Sequence, residues 1–192
     1  NLGKSAYKDW PYLKFIILTA VWAMLFFQLF TSIPVYWSGD LGLSESTIGK
    51  LIGLNGLIIV LIEMPIIRRI EHITKYMEMI ALGSIMLVLG FIILASGITW
   101  MSFAVIFIGF ISLAELFAMP FMINYAVSRP SEHRRGQYMA LYSMAYGIAN
   151  VIAPVLGLQL AGAFGFSVTF WIFAALSILV TVFFFRLRYA NV

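Results

Sequence analysis

Apolar residues run along this chain in six long stretches, at 15–37, 47–67, 77–95, 100–125, 138–163 and 168–185, separated by short polar breaks. Each is close to the 20 or so residues that a helix needs to cross the hydrocarbon of a bilayer. None alternates polar with apolar as a half-buried strand would, and an open sheet in lipid would leave its backbone groups unpaired. The pattern predicts an all-α membrane protein whose six transmembrane helices form one bundle over 15–186. A polar and aromatic segment with Lys4, Lys8 and Lys14 precedes it at 1–14, and a short tail follows at 187–192. The first stretch exceeds the roughly 7–15 apolar residues of a signal peptide, so it is read as a span.

Composition narrows the surroundings. Hydrophobic residues make up 62% of the chain and charged ones only 10%, against about 25% charged in a soluble domain. Lipid must therefore cover most of the surface. With no cysteine, there is no disulfide, thiolate nucleophile or Cys-bound metal. The net charge of +4 matters less than where the cations fall. Threading six spans puts Lys4, Lys8, Lys14, Arg68, Arg69, Lys75, Arg129, Arg134, Arg135, Arg186 and Arg188 on one side and Lys50 alone on the other. Positive charge collects in cytoplasmic loops, so both termini are expected in the cytoplasm of a plasma or inner membrane. The basic clusters are thus topological rather than a nucleic-acid surface.

Polar residues inside spans carry the candidate chemistry. A charged side chain at mid-bilayer costs about 2.5–3.5 kcal/mol on insertion scales and usually faces protein or water. Glu115, in the middle of the fourth span, is the sharpest case. Leaving water favours the protonated form of a carboxyl group, the property that a proton-coupled carrier needs. Glu63, near the end of the second span, is placed to meet Arg68 or Arg69 as a gating or structural ion pair. In the fifth span Tyr142, Tyr146, Asn150 and Pro154 recur every four residues and share one slowly drifting face. Gln28 in the first span and Asn55 in the second add two amides at depth. Gln28, Asn55, Tyr142, Tyr146 and Asn150 are the candidate wall of a wet cavity, although each also fits an ordinary interhelical hydrogen bond. Gly83 and Gly90 mark close helix approach in the third span, and Pro120 leaves a carbonyl free near Glu115.

The stretch from Ala114-Glu115-Leu116 to Pro120, followed by Ser128-Arg129-Pro130-Ser131-Glu132-His133-Arg134-Arg135-Gly136-Gln137, resembles the tenth helix and following loop of major facilitator superfamily transporters. The run through Asn150, Pro154 and Gly157 resembles their eleventh helix, and Phe170-Trp171 the aromatic opening of the twelfth. The likeness covers nearly the whole chain. It implies the carboxyl-terminal half-bundle of that fold, built from 3+3 inverted repeats, with 1–14 as the end of the linker between halves. One departure is the loop reading Pro65-Ile66-Ile67-Arg68-Arg69-Ile70-Glu71, which keeps the basic residues of the family's loop but not its Gly and Asp. The Arg-Gly loop is similar to that of drug/proton antiporters. Glu115 followed by Pro120, together with Gln28, is similar to the proton-coupled oligopeptide group.

The resemblance implies half of a secondary transporter that moves a small molecule by alternating access, coupled to protons, with drug or metabolite efflux favoured over peptide symport. No cofactor is expected beyond the proton as coupling ion. Glu115 would carry the proton, while Arg134, Arg135 and Gly136 would help order the cytoplasmic gate together with Glu63, Arg68 and Arg69. The missing amino-terminal half, or a second chain, would complete the cavity. A membrane interaction protein without transport is the rival class. An intramembrane hydrolase is excluded because His72 and His133 both lie in loops, so no His-based triad or metal site assembles at depth.

Overall fold

A computed structural model describes residues 5–70 and 75–189, and the described residues contain helices and turns but no strand. The helices are α1 (Trp10–Phe26), α2 (Ser32–Gly39), α3 (Glu45–Ile70), α4 (Tyr76–Ala95), α5 (Met101–Ser128), α6 (Arg135–Phe164) and α7 (Phe166–Tyr189). Six segments are long and apolar enough to cross a membrane, α1 and α2 together forming the first.

Two features of that first span differ from the uninterrupted 15–37 of the sequence reading. It starts at Trp10, because the Asp9 carboxylate caps α1 by accepting from the Tyr12 backbone N–H at 3.4 Å, and Pro11 suits the first turn. It is also broken at mid-length, where Phe27–Phe30 tightens into a 3-10 turn before α2. Pro34 cannot donate to the carbonyl of Phe30. Side chains take up other backbone acceptors at the break: the Thr31 hydroxyl donates to Phe27 O at 3.1 Å and the Gln28 amide to Met24 O at 3.2 Å.

The core centres on α4, which packs against both α5 and α7. Phe91 meets Phe173 at 5.4 Å between ring centroids and Phe107 at 6.4 Å. Gly83 lets α4 approach α5 closely: a Cβ there would sit 2.7 Å from Ala114 O and 2.8 Å from Ala118 N. Backbone atoms cannot swing aside as a side chain can. Gly83→Ala should therefore lower stability by about 1–3 kcal/mol, while Gly109→Ala, which has open space, should change it little. Thermal unfolding of the detergent-solubilised protein checks both.

The main pairings are α1 with α6, α3 with α5, α4 with α5, α1 with α7, and α4 with α7. Exchanging the first span with the fourth, the second with the fifth and the third with the sixth maps this set onto itself. The pairing α1–α6 becomes α5–α3, α4–α5 becomes α7–α1, and α4–α7 is unchanged. That is the pairing pattern of two related helix triplets. The second and fifth spans, exchange partners, are also the least covered: 17% of each is buried, against 44% or more of the others. Val60 on α3 and Val151 on α6 are 75% and 70% exposed.

Candidate functional site: an acid-lined groove

A groove of about 310 Å³ opens beside α5, lined by Ile59 and Glu63 from α3, by Glu115, Leu116, Met119, Pro120 and Ile123 from α5, and by Tyr142 and Tyr146 from α6. Because α5 packs against both α3 and α6, it forms the floor between two walls. The spacing explains the lining. Asn55, Ile59 and Glu63 recur every four residues on α3, as do Tyr142 and Tyr146 on α6, so each set keeps to one face.

Glu115 lies halfway along α5 and is half-buried. The buried Asn55 amide donates to its Oε2 at 3.2 Å and to the Ser112 hydroxyl oxygen at 3.0 Å. The Ser112 hydroxyl in turn donates to Ile108 O at 2.8 Å. One carboxylate oxygen is thus held from α3 while the residue still borders the groove. Across it, Tyr142 and Tyr146 lie 5.1 Å apart between ring centroids, and the Tyr146 hydroxyl points to Met122 Sδ at 3.7 Å. Among the described residues, none that lines the groove is basic. Carboxyl, amide and phenol groups gathered on an apolar wall can exchange a proton and ligate a cation through oxygen.

The sequence candidates separate here. Glu115, Glu63, Tyr142 and Tyr146 converge on the groove, with Asn55 at its inner edge. Asn150 does not line it, because the stripe on α6 drifts by about 40° every four residues and carries that side chain to the exposed face. Gln28 lies elsewhere, fully buried between the first span and α6. Its amide donates to Ala153 O at 2.9 Å, and its carbonyl oxygen accepts from the Ser32 hydroxyl at 2.6 Å. Gly157 makes room for it, since a Cβ there would collide with Gln28 Oε1. Under the exchange of triplets, Gln28 reaching α6 is the counterpart of Glu115 reached from α3. One member of this pair is sealed and the other borders open space. Arg134 is half-buried in a short turn, Arg135 and Gly136 are exposed where α6 begins, and none of the three lines the groove. Arg68 and Arg69 fall on α3, but their side chains lie outside the described ones.

A second polar cluster, absent from the sequence candidates, sits at the foot of α1. Arg129 donates to both Asp9 oxygens, Nε to Oδ2 at 2.7 Å and Nη2 to Oδ1 at 2.9 Å, and through Nη1 to the Tyr125 hydroxyl at 2.6 Å. The Tyr138 hydroxyl adds a bond to Asp9 Oδ2 at 2.9 Å, and the Tyr12 hydroxyl donates to Tyr138 O at 2.7 Å. Burial pushes the Asp9 carboxyl up, but the bonds from Arg129 and Tyr138 and the guanidinium charge outweigh it and hold the group below its ordinary range. The sequence signal was local: an acid one residue before a Pro-containing first turn marks a cap.

The family model of the Major Facilitator Superfamily matches residues 16–192. The chain belongs to the major facilitator superfamily. It is also 29% identical, over 190 aligned residues, to a protein of Planococcus maritimus described as a Na(+), Li(+), K(+)/H(+) antiporter. That alignment takes in 90% of this chain but only 43% of the relative, so the chain spans less than half of the curated relative's length. Membership places the chain among transporters rather than enzymes and makes the bilayer its solvent. For a major facilitator chain, an intramembrane groove bordered by two acids is a candidate transport site.

Proposed function

We propose that this chain is the carboxyl-terminal half of a proton-coupled antiporter that exchanges protons for a small cationic solute by alternating access. The observation that carries the reading is the groove itself: Glu115 and Glu63 share it with two phenols and, among the described residues, no basic side chain. Intramembrane acids facing a cavity mark ion and proton paths. A cation can replace the proton there against the two carboxylates, whereas an anionic solute would find no positive partner among the described residues that line the groove. The relative's description supports alkali cations as the first solutes to try, and cationic drugs or metabolites are the second.

In this proposal the exposed faces of α3 and α6 are covered by the amino-terminal six-helix half, and the groove becomes one wall of the cavity between halves. The lopsided distribution of Lys and Arg supports a cytoplasmic location for both ends of the chain, in a plasma or inner membrane. No cofactor is required, since the proton is the coupling ion. Residues 1–14 serve as the end of the inter-half linker.

The test uses the full-length protein that carries this chain, reconstituted in vesicles loaded with acid and a pH-reporting dye. Adding Na⁺, Li⁺, K⁺ or an organic cation outside should release internal protons in a concentration-dependent way. If none of these does so above protein-free vesicles, the antiport reading is wrong.

A further inference from the structure

Away from the acid-lined groove, α1 and α7 meet through the buried pair Phe15 and Phe184, 6.3 Å between ring centroids. Beside that seam lies a second cavity of about 410 Å³, lined by Lys14, Ile17, Leu18, Phe183, Arg186 and Leu187. It shares no residue with the acid-lined groove. Its two cations come from the start of α1 and the last turn of α7, so both stand at the same edge of the bundle. Its remaining lining is wholly apolar, with Ile17 64% and Phe183 49% exposed.

The neighbouring basic residues are already engaged. Arg188 bonds Glu78 at 3.0 Å and Arg129 bonds Asp9. Among the described residues, Lys14 and Arg186 have no ion pair, and no carboxylate lines their cavity. Two cations at the mouth of an apolar slot, at the level where the spans end, call for a ligand with an anionic head and a hydrocarbon body.

We infer that this cleft between α1 and α7 is a binding site for one anionic phospholipid, with its phosphate between Lys14 and Arg186 and an acyl chain along Ile17, Leu18 and Phe183. Basic pockets between spans hold acidic headgroups through charge, and the apolar wall supplies the rest of the contact. A purely topological role for the two cations would need no cleft. Nor would it discriminate among lipids.

The experiment places the full-length protein in nanodiscs of phosphatidylcholine with a minor fraction of phosphatidylglycerol and counts retained lipids by native mass spectrometry. Wild type should retain one phosphatidylglycerol in preference to phosphatidylcholine. Lys14→Gln with Arg186→Gln should cut that preference about thirty-fold, about five-fold from each cation. Lys14→Arg with Arg186→Lys should keep it. Ile17→Trp, which fills the apolar slot and leaves both charges, should lower retention even if the neutral pair fails to assemble. The inference is overturned if wild type shows no preference, if the neutral pair retains the lipid as wild type does, if the charge-conserving pair loses it, or if Ile17→Trp has no effect.

Discussion

Vesicles carrying the full-length protein with Glu115→Gln should release no protons on cation addition, giving a signal at the level of protein-free vesicles. The change is nearly isosteric, and the glutamine carbonyl can still accept from Asn55, so the link between α3 and α5 is kept. What disappears is a group able to alternate between charged and protonated states. An ionised side chain at this depth costs about 2.5–3.5 kcal/mol, so removing the charge should leave unfolding temperature level or raised. Loss of coupling with retained stability is therefore the expected signature. Undiminished proton release would remove Glu115 from the coupling role. Downhill solute exchange measured alongside separates a lost proton from a lost binding site.

The largest effect on stability is expected at the foot of α1. Arg129→Met should destabilise the protein by about 3 kcal/mol or more, as removing one partner of a buried pair does. Asp9 is only 4% exposed, and its carboxyl group would be left with just the Tyr138 hydroxyl and the Tyr12 amide as partners. The pair also joins two helix ends favourably, an anion at the start of α1 and a cation just past the end of α5, each opposing the local dipole. Adding Asp9→Asn to Arg129→Met should recover part of the loss, and a double-mutant cycle on unfolding temperature measures it. The sign of the pH dependence follows from the lowered native value of Asp9. Its contribution is whole above the ordinary carboxylate range and is lost as pH falls through that lowered value. In Arg129→Met this acid-side loss should shrink.

Six spans were legible in the sequence because a bilayer imposes a length and a polarity on any helix that crosses it. Glu115 was legible for the same reason, since few acids are found at such depth. The convergence of Glu63, Tyr142 and Tyr146 on it depends on how α3, α5 and α6 are rotated, which four-residue spacing constrains within one helix but not between helices. Gln28 shows the limit. A buried amide on an apolar span reads alike whether it faces a cavity or a neighbouring carbonyl, and only Ala153 O decides. Asp9 and Arg129 lie 120 residues apart, and nothing local to either marks the other as its partner. The break in the first span was signalled by Pro34 but was concealed by the continuous hydropathy around it.

That break has a mechanical consequence. Below it, α1 is tied at its foot by Asp9 and along its flank by Phe15; above it, α2 leans on α7 through Tyr36, whose ring lies 5.0 Å from that of Phe170. A 3-10 turn lacks the regular i to i−4 ladder that makes a long helix a stiff lever. Torque applied at one membrane surface is thus absorbed at the interruption instead of being passed along the rod. Gln28 sits at that interruption and is pinned to α6 through Ala153 O.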